Sequence, residues 1–332
     1  MRALQKSGFS LSTTMVCDVP VPELGAGEVL LRVEACGLCG SDIHAWRSDP
    51  GYEWVLPPVV LGHEFAGVVV AVAQDSVGWN VGDRAVAVSI QGCLKCERCL
   101  RGATQRCLDR RVIGLSYNGG LSEFVRVSSD YLIRIPSDME AVVAAAVEPL
   151  SVAAHATLTV GGVRSGEKVA VSGAGFVGIA CALIAMDAGA DVTLIGAERD
   201  AVSRLPAAAA LGIKTCTTGE GQWGRPDLWI EASGATPALT SAFGDTAPGG
   251  RICVVGMYAQ MATIDMTLLV RGELEVRGSY ASIASDYELV ISMLEQGRLP
   301  VRSLLEVFNL EDAVDALSKA AESQTLKPII VP

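Results

Sequence analysis

Val169-Ala170-Val171-Ser172-Gly173-Ala174-Gly175-Phe176-Val177-Gly178 is a short apolar strand that runs into the pattern GxGxxG and then into an alanine-rich helix through Met186. Standing alone the pattern is weak evidence. Between a strand and a helix it has a physical reading. The first glycine permits a tight turn, the second lets the backbone approach a pyrophosphate, and the third lets helix and strand pack closely, while the helix N-terminus offers amide donors. Gly173, Gly175, Phe176, Val177 and Gly178 are therefore candidate nucleotide contacts. The same stretch is the most apolar of the chain, and its interruption by Ser172, Gly173, Gly175 and Gly178 argues for a buried strand, turn and helix over a membrane span.

Outward from this stretch, apolar strands alternate with helical segments: Lys168–Val171, Asp191–Ile195, Leu228–Glu231 and Arg251–Val255. Regular alternation predicts an α/β fold with a doubly wound parallel sheet. The second strand should end in an acidic residue if the nucleotide is NAD, yet that slot falls at Gly196 or Ala197, with Glu198 and Arg199 following. Glu198 at the ribose hydroxyls would favour NAD. Arg199 facing a 2′-phosphate beside the small Gly196 would favour NADP, the reading preferred here. Later strand ends contribute Ser233, Val255 and Gly256 as further candidate contacts, through their backbone.

Before about Ala141 the texture differs, with β-branched runs such as Val29–Val33, Gly67–Val72 and Arg84–Val88 broken by glycine and proline. This predicts a compact β-rich domain over 1–142, a nucleotide domain over 143–280 and a C-terminal segment, 281–332, that returns to the first domain. A length of 332 residues suits two domains, and half of the residues are hydrophobic. A net charge of −11 and the lack of a Lys/Arg-rich stretch exclude nucleic acid as a partner. No apolar core follows the N-terminal Arg2 and Lys6, so the expected location is cytoplasmic.

Ten cysteines then point to metal ligands and buried thiols more than to disulfides. Cys93, Cys96, Cys99 and Cys107 stand as CxxCxxCx7C, which lets four thiolates from one loop converge on an ion. Zinc suits four sulfurs and leaves no open position, so this is expected to be a structural site. An iron–sulfur cluster is the rival reading, which a metal assay separates.

Two further segments carry donors for an open metal site: Gly37-Leu38-Cys39-Gly40-Ser41-Asp42-Ile43-His44 and Gly62-His63-Glu64-Phe65-Ala66-Gly67. With the cysteine cluster, in this order, they resemble the medium-chain zinc alcohol dehydrogenase superfamily, and the resemblance extends over essentially the whole chain. It implies a GroES-like catalytic domain joined to a Rossmann domain, two zinc ions per chain, NAD(P) as cofactor, and a homodimer or homotetramer. It further implies Cys39 and His63 as catalytic zinc ligands, with Cys36 a bystander. The run Val147-Glu148-Pro149-Leu150-Ser151-Val152-Ala153-Ala154-His155 looks like the sorbitol, threonine and polyol branch, and makes Glu148 the third ligand, directly or through a water.

By the same resemblance Glu64 can approach the metal, Ser41, the cofactor ribose and then His44 form a proton route, and Asp42 orients His63. His44 could equally be a surface histidine and Asp42 a loop cap. The chemistry implied is hydride transfer between a secondary alcohol or polyol and the nicotinamide, aided by a cation that stabilises an alkoxide. Two other readings stand beside it. A zinc-free quinone or enoyl reductase would lack these ligands, and a non-catalytic cofactor sensor would bind nucleotide without turnover. Tyr52, Trp54, Leu56 and Trp46 are candidate pocket residues.

Overall fold

A computed structural model describes residues 1–332, which divide into two compact units. The first comprises Met1–Pro149, Ser282–Glu295 and Val301–Pro332, and the second Leu150–Ala281 and Gln296–Pro300.

In the first unit, β1 (Glu28–Gly37), β2 (Glu64–Val72), β3 (Arg84–Ala87), β4 (Phe124–Ser128) and β5 (Leu132–Arg134) belong to one sheet. β1 alternates buried Val29, Leu31 and Val33 with more exposed neighbours, the period of a strand with one face on a core. Its last residues, Ala35 to Gly37, are all buried, because here the strand runs between two others. It pairs antiparallel with β2, which sets Gly37 opposite Glu64. A Cβ on Gly37 would collide with the Glu64 carboxylate and lie 3.2 Å from Lys327 Cε, so only glycine fits this crossing.

The second unit holds six parallel strands: β6 (Lys168–Ser172), β7 (Asp191–Gly196), β8 (Lys214–Thr217), β9 (Leu228–Glu231), β10 (Arg251–Val254) and β11 (Glu275–Gly278). Their spatial order is β8-β7-β6-β9-β10-β11, the 3-2-1-4-5-6 order of a dinucleotide-binding sheet. The expected GroES-like plus Rossmann α/β architecture is thus present. β8 and β11 were not among the expected strands. Lys214-Thr215-Cys216-Thr217 is mostly polar, and Glu275–Gly278 is exposed throughout, so neither carries an apolar run.

Between β6 and helix α3 (Phe176–Asp187) the fingerprint turn takes its expected form. Gly173 has φ of +107°, and a Cβ on Gly178 would collide with the Gly173 carbonyl oxygen. Among the helices before it are α1 (Gly40–Arg47), directly after β1, and α2 (Val147–Ala154). One helical stretch, Ala141–Val160, is long and apolar enough to cross a membrane, but 78% of its apolar window is buried inside the protein, as in a core helix.

The chain ends with β12 (Leu305–Asn309) and β13 (Lys327–Val331), parallel to each other. β13 pairs antiparallel with the end of β1, Ile330 opposite Cys36. The termini of β1, β2 and β13 therefore meet.

The collision at Gly178 sets a test. Gly178→Ala forces the helix away from backbone that cannot yield, at a cost of about 1–3 kcal/mol. Thermal unfolding of the variant should show that loss, and an unchanged melting temperature would mean that the turn is looser than described.

Candidate active site

Where β1, β2 and β13 converge, the sequence places a thiol, an imidazole, two carboxylates and an amine among apolar neighbours. Donor atoms of Cys39, His63 and Glu64 all lie within 4.8 Å of one another. Cys39 is the N-cap of α1, and this start is tied by Asp42, the third residue of that helix, whose carboxylate accepts from Cys39 N at 3.0 Å and from Gly62 N at 3.1 Å. Asp42 is wholly buried, and its Oδ1 lies 3.6 Å from His63 Nδ1. It is therefore a loop cap and a neighbour of the imidazole at once, joining both ligand segments.

Electrostatics point toward a cation. Burial disfavours a charged His63, yet Asp42, Cys39 and Glu148 outweigh it and hold the imidazole pKa well above its ordinary value. Burial, then Glu64, pushes Glu148 up to about 7. Burial also raises Asp42. These are signs of surplus negative charge in a dry place, and His63 Nδ1 is buried there without a hydrogen-bond partner. A thiolate, an imidazole and carboxylates form a donor set suited to zinc with an open position.

The expected third ligand and its rival stand differently. Glu148 is buried, and its Oε1 accepts from Ser89 Oγ at 2.6 Å, with Ser89 N donating to Tyr287 Oη at 3.2 Å. It lies outside the three-residue donor cluster, whereas Glu64 lies within it. Ser41 Oγ sits 3.3 Å from His63 Nε2. His44, one turn along α1, is held at Nδ1 by Asp49 Oδ2 at 2.7 Å and stacks on Tyr52, with ring centroids 5.1 Å apart. Tyr52 stacks in turn on Trp54, while Trp46 is buried and Leu56 exposed. Cys36 is buried, its thiol facing the Gly37 carbonyl, and burial pushes its pKa well up, as suits a bystander.

Sequence reasoning missed Lys327. This lysine opens β13, is buried, and donates from Nζ to Glu64 Oε2 and to the Leu38 carbonyl at 3.0 Å. Desolvation works to lower its pKa, but Glu64, Cys39 and Glu148 reverse that and leave it raised. Its signal was a lysine adjoining the apolar run Pro328–Val331. Ser89 and Asp49, which hold Glu148 and His44, gave no sequence signal.

In the cysteine loop all four sulfurs lie within 4.8 Å of one another, with Cys96 Sγ 3.5 Å from Cys99 Sγ and 3.8 Å from Cys107 Sγ. Sulfurs at ~2.3 Å from one tetrahedral ion would stand roughly 3.8 Å apart, so the loop is preformed for zinc. Backbone amides of Lys95 and Cys96 lower Cys93 to about 6, which favours a thiolate, whereas burial raises Cys99 to about 12.

In the second unit Gly175 caps α3, and a Cβ added to it would point into open space. At the end of β7 a Cβ on Gly196 would lie 2.9 Å from Leu205 Cδ2 and 3.0 Å from Asp200 Cβ, so an acidic side chain has no room there. Asp200 instead turns inward, accepting from Ala197 N at 2.8 Å, and Glu198 accepts from Gly219 N at 2.9 Å. Arg199 is exposed. Ser233 bonds by amide (2.8 Å) and hydroxyl to the buried Glu231, which also accepts from Tyr258 Oη at 2.5 Å. Val255 and Gly256 donate their amides to the Glu231 carbonyl, so one glutamate organises both candidate loops.

Comparison with known proteins decides the family. Residues 25–137 match the alcohol dehydrogenase GroES-like domain, and residues 177–296 match the zinc-binding dehydrogenase domain. A similar relative is an L-threonine 3-dehydrogenase of Streptomyces avermitilis, 31% identical over 94% of each chain. The chain belongs to the medium-chain zinc-dependent alcohol dehydrogenase superfamily. It is an NAD(P)-dependent oxidoreductase of the alcohol and polyol dehydrogenase type. A sorbitol dehydrogenase of Halalkalibacterium halodurans is 28% identical over all of this chain and 99% of its own. Among solved structures, a zinc-binding dehydrogenase of Sinorhizobium meliloti bound to NADP superimposes with a TM-score of 0.90, at 27% identity, over 100% of this chain and 99% of that one.

Within this dehydrogenase, Lys327→Met would leave the Glu64 carboxylate buried without its counter-charge. The expected cost is on the order of 3–5 kcal/mol, and Lys327→Met/Glu64→Gln should recover most of it. Denaturant unfolding of the pair checks this; a single variant as stable as the parent would show that the ion pair is not the anchor of β13.

Proposed function

We propose that the chain oxidises a secondary alcohol or polyol, or reduces its ketone, at a zinc held by Cys39, His63 and Glu148, with Glu64 as an alternate donor. The observation that carries this reading is the cluster of half-buried Cys39 with buried His63 and Glu64, with Glu148 in the same electrostatic neighbourhood. Zinc, when bound, supplies a Lewis acid toward the substrate oxygen, and the nicotinamide supplies the hydride acceptor. Asp42 and Ser41 hold His63 in place. The substrate proton leaves by Ser41 and then His44, whose ring Asp49 holds in place at the end of the route. Ser89 orients Glu148.

Cys93, Cys96, Cys99 and Cys107 hold the second zinc, which is structural. The nucleotide lies along Gly173, Gly175, Phe176, Val177 and Gly178, with Ser233, Val255 and Gly256 lining the later strand ends. NADP is preferred over NAD. Supporting this, Gly196 leaves no place for an acid, Glu198 is engaged with Gly219, and Arg199 is exposed. A cytoplasmic location goes with ten cysteines that form no disulfide, and an assembly of two or four chains belongs to the same reading.

A cofactor-linked screen of zinc-replete protein against polyols and secondary alcohols, run with NAD and with NADP, tests the proposal. Turnover should favour NADP and fall at least about 10³-fold in Cys39→Ala and His63→Ala, the several kcal/mol that a Lewis acid contributes, with the fold retained. Cys96→Ala should mainly lose stability. Full activity in Cys39→Ala would sink the metal assignment, and a strong NAD preference would sink the role of Arg199.

A further inference from the structure

Helix α1 ends at Ser48, which stands in the left-handed region with φ of +55° although it is not glycine. Such a residue persists only where its surroundings hold it. The buried Lys6 donates from Nζ to Ser48 Oγ at 2.9 Å, and that hydroxyl donates to the Phe9 carbonyl at 2.9 Å. A continued helix would carry residue 49 about 140° around the axis from His44. The reversal at Ser48 instead turns the chain back, so that Asp49 N donates to the His44 carbonyl at 3.0 Å and Asp49 Oδ2 lies 2.7 Å from His44 Nδ1. Glu53, the other carboxylate of this loop, is taken up by Gly51 N at 2.9 Å. Tyr52 covers one face of the imidazole, and no group of the protein bonds its Nε2.

We propose that Asp49 is a positioning residue for the proton step, locking neutral His44 as the Nδ1–H tautomer so that the substrate proton is taken only at Nε2. A carboxylate accepts and does not donate, so a ring nitrogen at 2.7 Å from it carries the hydrogen. Neutral imidazole holds one such hydrogen, which leaves the lone pair on Nε2. In the other tautomer the basic nitrogen would face Asp49, and the open side of the ring would have nothing to accept with. Oxidation of an alcohol releases a hydride to the nicotinamide and one proton. Nε2 takes that proton, the ring becomes an imidazolium with its Nδ1–H still on Asp49, and Nε2 then gives the proton to water or buffer. The starting tautomer is restored, and Asp49 itself takes no proton. The His44 side chain is 37% exposed, so buffer reaches it.

This inference rests on the reading of His44 as the last carrier of the proton within the chain. Two measurements on the full, zinc-replete chain test it, with the thermal melt recorded beside each variant. The first is nitrogen-15 NMR of the imidazole rings. The chain has three histidines, so the His44 signals are identified by their loss in His44→Gln. In alkaline buffer, where an imidazole is neutral, the parent should show the Nδ1–H form. Asp49→Asn offers the ring an amide that bonds either tautomer, and should populate the Nε2–H form as well. The second is turnover at low buffer concentration, which should fall at least about 10-fold in Asp49→Asn, mainly in kcat. Concentrated imidazole buffer should recover most of that loss, and most of the loss in His44→Gln. A parent ring in the Nε2–H form overturns the lock, as does an Asp49→Asn variant that keeps either the parental tautomer or the parental turnover. A loss in Asp49→Asn that buffer does not repair also overturns it, because a purely structural role of the turn gives that result. Full turnover of His44→Gln at low buffer overturns the proton route beneath the inference and the inference with it, so the two failures are told apart.

Discussion

Burial of several ionisable groups at one strand junction is the constraint on which the first unit depends. Cys39, Asp42, His63, Glu64, Glu148 and Lys327 come from segments up to 289 residues apart along the chain, as the contact from Lys327 to the Leu38 carbonyl records. Each would be costly alone in an apolar interior. Together they compensate: Lys327 against Glu64, Asp42 against two backbone amides and the imidazole, Glu148 against Ser89. The remaining negative charge is what a divalent cation answers. Gly37 makes this crowding possible, since any side chain there would occupy the space of the Glu64 carboxylate.

The same logic explains why a C-terminal strand belongs to a site otherwise built before residue 150. β13 brings the counter-charge of Glu64 and pairs with the end of β1, so the register of the last strand and the electrostatics of the site are one requirement. In the second unit Glu231 plays a comparable part with neutral partners. Its carboxylate gathers Ser233, Gly234 and Tyr258, fixing two loops at the strand ends without any ion pair.

What was legible in the sequence followed from periodicity and local spacing. The strand, turn and helix around Gly173 to Gly178, the cysteine loop and the segments at Cys39 and His63 are all contiguous patterns, and contiguous patterns carry their geometry with them. Contacts between distant segments left no such trace. Lys327 differs from any edge lysine only by what β1 and β2 place beside it, and Ser89 and Asp49 matter through partners in space. The absent acid at the end of β7 was visible as an anomaly. Its cause, Leu205 and Asp200 filling the space around Gly196, emerged only with the fold. β11 escaped notice because an exposed edge strand has no core-facing alternation to read.

Zinc X-ray absorption on the purified, metal-replete chain tests the two-centre account most directly. Four thiolates at one ion and one at the other average to (4 + 1)/2, about 2.5 sulfurs per zinc at roughly 2.3 Å, with nitrogen and oxygen donors at about 2.0–2.1 Å making up the rest. That value, with two zinc ions per chain, is the predicted result. An average near four sulfurs with one zinc per chain, or iron in place of zinc, would contradict it.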